Sequence, residues 1–326
     1  MSGKVVVTGA AGFIGSHLCE RLIREGYIVT GIDSFTDYYS PERKREHLAA
    51  VHSSNRFTLI EDDLNRCDLA DIVADSQCVF HLAAQAGVRR SWGREFSYYI
   101  EANILATQRI LEALKDAGGN VKLVHSSSSS VYGETKDLPM KEDHRLRPIS
   151  PYGATKLSAE HLCELYHANF GVTYTALRYF TVYGPRQRPD MAFSRFVISA
   201  LAGEPVEIFG DGQQTRDFTY VSDAVEANML AFQYAGAERI FNIGGGSRVS
   251  VLEALDIIEH EVGEQVRREF LDRARGDVLD TWADTSRACA ELGFQPEVSL
   301  EEGLKREVDW YRDYLWRGGR RSHDGA

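Results

Sequence analysis

Tyr152-Gly153-Ala154-Thr155-Lys156 sets a tyrosine and a lysine four positions apart, the spacing that brings two side chains onto one face of a helix. Upstream, the apolar run Val121-Lys122-Leu123-Val124 reads as a buried strand. The serine cluster Ser126 to Ser130 follows, where that strand is expected to emerge. A serine, a tyrosine and a lysine can therefore converge on one small volume. Free tyrosine titrates near pH 10, so a tyrosine base working near neutrality needs its pKa lowered to about 7, a change of about 4 kcal/mol. An ammonium about 5 Å away, at an effective dielectric near 20, supplies roughly 3 kcal/mol. A second cation close by would supply the rest. The same spacing also occurs as a plain surface pair on a helix, so the surrounding elements must decide.

Lys4 to Thr8 reads as a short buried strand, and it runs into Gly9-Ala10-Ala11-Gly12-Phe13-Ile14-Gly15 and an amphipathic helix to about Arg24. Strand, glycine turn and helix are the context a dinucleotide fingerprint requires. Gly9 permits the tight turn, Gly12 lets the backbone approach a pyrophosphate at the helix N-terminus, and Gly15 lets helix and strand pack closely. A second strand, Tyr27 to Ile32, ends at Asp33, whose carboxylate can accept both ribose hydroxyls of adenosine and repel a 2′-phosphate. That favours NAD over NADP. Arg43 and Arg45 lie in a polar segment and are expected to be solvated. The oxidised nicotinamide ring would be the second cation near Tyr152.

Further strands are expected at Phe57 to Ile60, Cys78 to Leu82, Val121 to Val124 and Thr173 to Tyr179, with helices from Asn103 to Ala117 and from Tyr152 to about Phe170. Alternating strands and helices predict an α/β fold with a Rossmann-type doubly wound parallel sheet. After Tyr179 the pattern changes. A turn-rich loop, 181–192, precedes a helix from Phe193 to Ala202, a strand from Val206 to Phe209, possible strand 215–221, and strand 240–243. Ser250…Glu253 and Ser299…Glu302 read as capping boxes that open two more helices. The expected division is 1–180 as the NAD-binding domain, with later segments returning to it, 181–316 as a smaller α/β substrate lobe, and 317–326 as a disordered tail.

The 326 residues suffice for a large core, and a 43% apolar, 26% charged composition is that of a globular chain. A net charge of −11 argues against nucleic acid or an anionic membrane as partner. No apolar run reaches a membrane span, and the first residues enter a strand without the pattern of a signal peptide. The five cysteines are scattered with no CxxC, which suggests reduced thiols in the cytoplasm and no metal site.

TGAAGFIGSHL, Asp33, the Ser128…Tyr152-xxx-Lys156 set and RYFTVYGP together resemble the extended short-chain dehydrogenase/reductase family over about residues 4 to 315. Within it, TVYGPRQRPDMA (181–192) looks like the loop of UDP-glucuronic acid 4-epimerases, except that Gln187 stands where glycine is usual. The resemblance implies that Ser128 bonds the sugar 4-oxygen, Tyr152 takes the 4-OH proton, and Lys156 holds the nicotinamide ribose and lowers the tyrosine pKa. It places Phe13, Ile14, Asp63, Leu64, Leu82, Ala83, Ala84, Gln85, Asn103 and Tyr179 along NAD. It draws on Val206, Ile208 and Phe209 for the base and Arg216 for the diphosphate. A second diphosphate arginine is expected where this chain has Ala274, so Arg275 or Arg273 is expected to substitute. Two helices, from near Asn103 and Tyr152, are expected to form a homodimer.

The resemblance also bears on the substrate. Related 4,6-dehydratases carry Asp-Glu where this chain has Ser129-Ser130, and related UDP-glucuronate decarboxylases carry Glu immediately before VYG. Arg188 suits a carboxylate through its fork of donors, with hydroxyls from Thr181, Ser129 and Ser130; alternatively it serves the cofactor or the loop. The implied activity is reversible C4 epimerisation of UDP-glucuronate to UDP-galacturonate. The alternatives are a UDP-glucose/UDP-galactose or N-acetylhexosamine 4-epimerase, and a catalytically silent NAD-binding sensor. A silent sensor predicts damage to the Ser/Tyr/Lys set, and all three residues are present.

Overall fold

The computed structural model describes residues 3–323. Strands β1 (Lys4–Thr8), β2 (Ile28–Ile32), β3 (Phe57–Ile60), β4 (Cys78–His81), β5 (Lys122–Ser128) and β6 (Tyr174–Tyr179) build the main sheet with a later strand, Ile240–Ile243. The order is β3-β2-β1-β4-β5-β6 and then Ile240–Ile243, and every pairing is parallel. The winding direction reverses between β1 and β4, and in such sheets ligands bind outside the strands' carboxyl ends at that point.

Helices α1 (Phe13–Arg24), α2 (Pro41–His47), α3 (Leu69–Ala74), α4 (Phe96–Tyr99), α5 (Ala106–Asp116) and α6 (Pro151–Phe170) belong to this half. The strand period of two sends Val5 and Val7 into one apolar core and Val6 into another, on opposite faces of the sheet. Helix α1 contributes Leu18, Cys19 and Leu22 to the first core, and α5 contributes Ile110, Leu111 and Leu114 to the second.

The second half adds β7 (Thr181–Tyr183), α7 (Ala192–Ala202), β8 (Val206–Phe209), β9 (Thr215–Tyr220), α8 (Val221–Gln233), β10 (Ile240–Ile243), β11 (Arg248–Ser250), α9 (Val251–Val262), β12 (Arg268–Leu271) and α10 (Leu300–His323). It forms a three-stranded sheet, β11-β9-β7, and a two-stranded one, β12-β8. The capping box that opens α9 is complete: Ser250 Oγ accepts the Glu253 N–H and the Glu253 carboxylate accepts the Ser250 N–H. At α10, Ser299 Oγ accepts the Glu302 N–H while the Glu302 carboxylate pairs with Arg306.

Several expectations are corrected. The fifth strand runs past Val124: Ser126 to Ser128 are the end of β5, paired with Leu177 to Tyr179 of β6. Asn103 does not begin a helix. Helix starts at Phe96, and Asn103 lies in a π-helical stretch, Ile100–Leu105, that joins α4 to α5. Helices α2, α3 and α8 were not anticipated, and most of α8 is buried, which hides its helical period. The backbone of α10 continues through 317–323, where disorder was expected, because extending a formed helix costs little; positions 324–326 of that tail lie outside the described residues. Among the described residues no helix is long and apolar enough to cross a membrane.

Candidate active site

A cleft of about 530 Å³ opens at the carboxyl ends of the main strands and reaches into the second half. At one end lies the glycine turn. Gly9 has φ +69°, a left-handed conformation. A Cβ on Gly15 would sit 2.1 Å from the Gly9 carbonyl oxygen, so only glycine lets α1 approach this closely. The N-cap of α1 is Gly12, with no side-chain cap, so no side chain there competes with an anion for the first-turn N–H groups. Asp33 Oδ2 accepts the Ala11 N–H at 3.0 Å and Oδ1 accepts the Phe35 N–H at 2.9 Å. Burial raises the Asp33 pKa, and those backbone N–H groups oppose the rise. Each oxygen keeps a lone pair for a ribose hydroxyl. The turn, the open helix end and the carboxylate fit a dinucleotide.

Phe13, Ile14, Asp63, Leu64, Leu82, Ala83, Ala84, Gln85 and Tyr179 line the same cleft. Asn103 does not, because its amide is spent behind it. Asn103 Oδ1 accepts the Gln85 N–H at 2.8 Å, and Nδ2 donates to Gln85 O and to Thr155 Oγ1, each at 3.0 Å. Thr155 stands between Tyr152 and Lys156 and donates to Tyr152 O. His81 extends this support. Thr107 Oγ1 donates its only proton to Asn103 O, so it accepts from His81 Nε2–H; Nδ1 therefore accepts from Thr8 Oγ1. The imidazole is thus a fixed neutral tautomer, and burial lowers its pKa to about 3.

Ser128, Ser129, Ser130, Tyr152, Lys156, Thr181 and Arg188 meet at the centre of the cleft. The extended residue Ser128 ends β5, and its Oγ accepts the Ser130 N–H at 3.1 Å. That leaves the Ser128 proton free, and its hydroxyl helps hold the Tyr152 pKa down. Ser150 Oγ caps α6 by accepting the Gly153 N–H, which fixes the turn that carries Tyr152. Burial raises the Tyr152 pKa, while Ser128 and the Arg188 guanidinium pull it down. Lys156 was expected to do this; instead its ammonium donates to the Ser126 carbonyl at 2.9 Å, and burial lowers its own pKa to about 8. Arg188 forks onto Asp190, Nε to Oδ1 and Nη2 to Oδ2, both at 2.9 Å, and Tyr38 donates to the same carboxylate. The Nη1 edge of Arg188 is outside that pair.

None of the expected nucleotide residues, Val206, Ile208, Phe209, Arg216 and Arg275, lines this cleft. Strand alternation buries Val206 and Ile208 in the core and leaves Phe209 half-buried. Arg216 is held by the carbonyls of Thr215, Val278 and Leu279. Arg275 is exposed, and Arg273 donates to Asp277 O and Glu134. A further cation beside Phe209 and Asp277 was missed. Arg89 donates to the Asp277 carboxylate at 2.9 Å and lies over the Phe209 ring, 3.8 Å from its centre. Nothing in the sequence near Arg89 signals a partner 188 positions away. Arg43, expected in solvent, instead packs against Trp310, Tyr311 and Tyr314, while Arg45 pairs with Glu61 at the surface. Among the described residues no group of His, Cys, Asp or Glu is placed to hold a metal.

The sheet order, the glycine turn and the Ser/Tyr/Lys convergence define an extended short-chain dehydrogenase/reductase. Within that class, the chain belongs to the GDP-mannose 4,6 dehydratase family, whose pattern it matches over residues 6–307. It is 45% identical over 318 residues to an uncharacterized UDP-glucose epimerase of Bacillus subtilis, covering 97% of this chain and 99% of that one. It is 40% identical to the UDP-glucuronate 4-epimerase of Thermodesulfobacterium geofontis, covering 96% and 97%. The structure of a Bacillus cereus UDP-glucuronic acid 4-epimerase, in complex with UDP-glucuronic acid and NAD, superposes with a TM-score of 0.90 at 43% identity, covering 95% and 99%.

The buried lysine gives a signed expectation. Its folded pKa of about 8 lies below the ordinary 10.5, so between those values the unfolded chain binds more protons and stability rises with pH. The burial penalty is fully present below pH 8 and fades toward pH 10.5. In dinucleotide-free protein, urea unfolding is expected to show Lys156→Met gaining up to about 3 kcal/mol over wild type at pH 7, with the gap narrowing by pH 10. A gap that does not change with pH would contradict it.

Proposed function

We infer that this chain is an NAD-dependent UDP-glucuronate 4-epimerase that interconverts UDP-glucuronic and UDP-galacturonic acid. The observation that carries the reading is the convergence of Ser128, Tyr152 and Lys156 in one cleft with Arg188 beside them. When bound, NAD accepts hydride from C4 and returns it to the opposite face of the 4-keto sugar. Ser128 gives its proton in a hydrogen bond to the sugar 4-oxygen, and Tyr152 takes the 4-OH proton and later returns it. Lys156 keeps two N–H donors beyond the one on Ser126 O for the nicotinamide ribose. Asp33 holds the adenosine ribose and disfavours a 2′-phosphate.

A 4-keto uronic acid is a β-keto acid and loses CO2 readily, so the carboxylate must be held with its C–C bond out of line with the carbonyl. Arg188, through its Nη1 edge, and the hydroxyls of Ser129, Ser130 and Thr181 suit that task. Neutral serines supply no acid or base for dehydration. Support comes from the relatives named UDP-glucuronate 4-epimerase and from the Bacillus cereus complex. One observation favours the neutral-sugar reading instead: Asp190 already balances the Arg188 charge.

The lobe assignment is also ours: residues 1–180 with β10 bind NAD, and 181–316 bind the nucleotide sugar, where Arg216 and Phe209 face the UDP and Arg89 reaches across from the first half. The scattered cysteines support a cytoplasmic setting. A homodimer is supported by exposed apolar side chains on the paired helices, Tyr98 and Leu105 on one and Leu165 on the other.

Tyr152→Phe is expected to lower kcat about 10²- to 10⁴-fold while the purified protein keeps NAD. Arg188→Ala should lower kcat/KM for UDP-glucuronate about 10- to 100-fold, and that for UDP-glucose no more than about threefold, the smaller loss reporting only the Arg188 charge taken from beside Tyr152. Equal loss on both sugars would contradict the carboxylate assignment. Light scattering should return twice the chain mass, and a monomer would exclude the dimer.

A further inference from the structure

The loop from Gly184 to Met191 carries Arg188 into the cleft, and the residue just before it turns the other way. Gln187 is 1% exposed, yet both ends of its amide are used. Nε2 donates to Val182 O at 3.1 Å, in β7. Oε1 accepts the Ser194 N–H at 3.0 Å, in the first turn of α7. The N-cap of α7, Met191, has no side-chain cap, so the Gln187 amide satisfies a helix donor that would otherwise lack a side-chain partner. The main chain of Gln187 is held as well. Its N–H donates to Gly184 O at 3.0 Å, and its carbonyl accepts from Arg43 Nη2 at 3.3 Å and from Tyr311 Oη at 3.4 Å. On the preceding side, Arg186 adopts φ +68° and donates to Ser16 Oγ in α1, and the Pro185 carbonyl meets His17. The segment entering Arg188 is therefore tied to β7, α7, α2, α10 and α1.

The Arg188 guanidinium forks onto Asp190 and lies over the Tyr38 ring, and its charge also reaches the phenols of Tyr39, Tyr99 and Tyr152. Its placement depends on where residue 187 sets the chain. We propose that Gln187 is a positioning residue: its buried amide fixes the Arg188 guanidinium for the sugar carboxylate, so it sets the preference for a uronic over a neutral sugar. This rests on the UDP-glucuronate reading above. A glutamine suits the task because it joins a donor and an acceptor in one planar group, spanning a strand carbonyl and a helix N–H.

The test is a double-mutant cycle assayed on UDP-glucuronate and UDP-glucose. Gln187→Met keeps the bulk and removes both amide bonds, and Gln187→Ala is the second variant if the first does not fold; retained NAD and the melting profile report folding. With Arg188 present, either change is expected to lower kcat/KM for UDP-glucuronate about tenfold, while on UDP-glucose, or in the Arg188→Ala background, the loss stays under about twofold. A similar loss in both backgrounds or on both sugars would show that Gln187 acts only on the fold, and no loss would show it idle; either result overturns the proposal. Failure of the underlying reading looks different: the unmutated enzyme would then turn over UDP-glucose and not UDP-glucuronate.

Discussion

A phenol buried in protein resists ionisation, and the centre of this molecule is arranged against that resistance. Burial raises the pKa of Tyr152, and two groups oppose it: the Ser128 hydroxyl and the Arg188 guanidinium. They come from separate parts of the fold. Ser128 ends β5, Tyr152 opens α6, and Arg188 arrives on the loop after β7. Each must be held by structure that does not itself react, since a short misplacement at a reacting centre costs rate steeply.

That holding is visible behind the cleft. Beneath α6, Glu160 accepts a fork from Arg178 at 2.9 and 2.8 Å and a hydrogen bond from Ser127. The other side of Arg178 donates to Tyr132 Oη and Glu142 O, and Tyr132 donates to Asn242 in β10. A buried ion pair of this kind adds little stability over apolar packing, but it ties β5, α6, β6 and β10 together one layer below the serines. On the other flank, Asn103 and His81 tie β1, β4 and α5 to Thr155, next to both Tyr152 and Lys156. The π-helical stretch lies where Asn103 reaches these partners, in keeping with the tendency of such stretches to mark functional sites.

What the sequence revealed was what local chemistry determines. Gly9, Gly12 and Gly15 were legible because a tight turn and close helix packing demand glycine, and Tyr152 with Lys156 because helical spacing fixes their shared face. Most main-sheet strands were readable from short apolar runs. The electrostatics were legible only in part: Lys156 reached the site, but its ammonium turned to the Ser126 carbonyl and left the tyrosine to Ser128 and Arg188. Contacts between distant residues stayed hidden. Arg43 lies in a polar stretch, and only folding brings Trp310, Tyr311 and Tyr314 against it. Arg89 meets Asp277, and Asn103 supports the cleft from behind, for the same reason. Val206 and Ile208, named for the base, have their side chains turned into the core by strand alternation.

The account rests on Tyr152 and Ser128 handling a proton while the hydrogen on C4 leaves and comes back without meeting solvent. UDP-glucuronate carrying deuterium at C4 tests this most directly, with product and residual substrate followed by NMR and mass spectrometry through to equilibrium. The account predicts UDP-galacturonate that retains the deuterium at C4 in full, formed more slowly than from unlabelled substrate if hydride transfer limits the rate. Deuterium lost to water, or deuterium incorporated from heavy water into unlabelled substrate at C4, would contradict it.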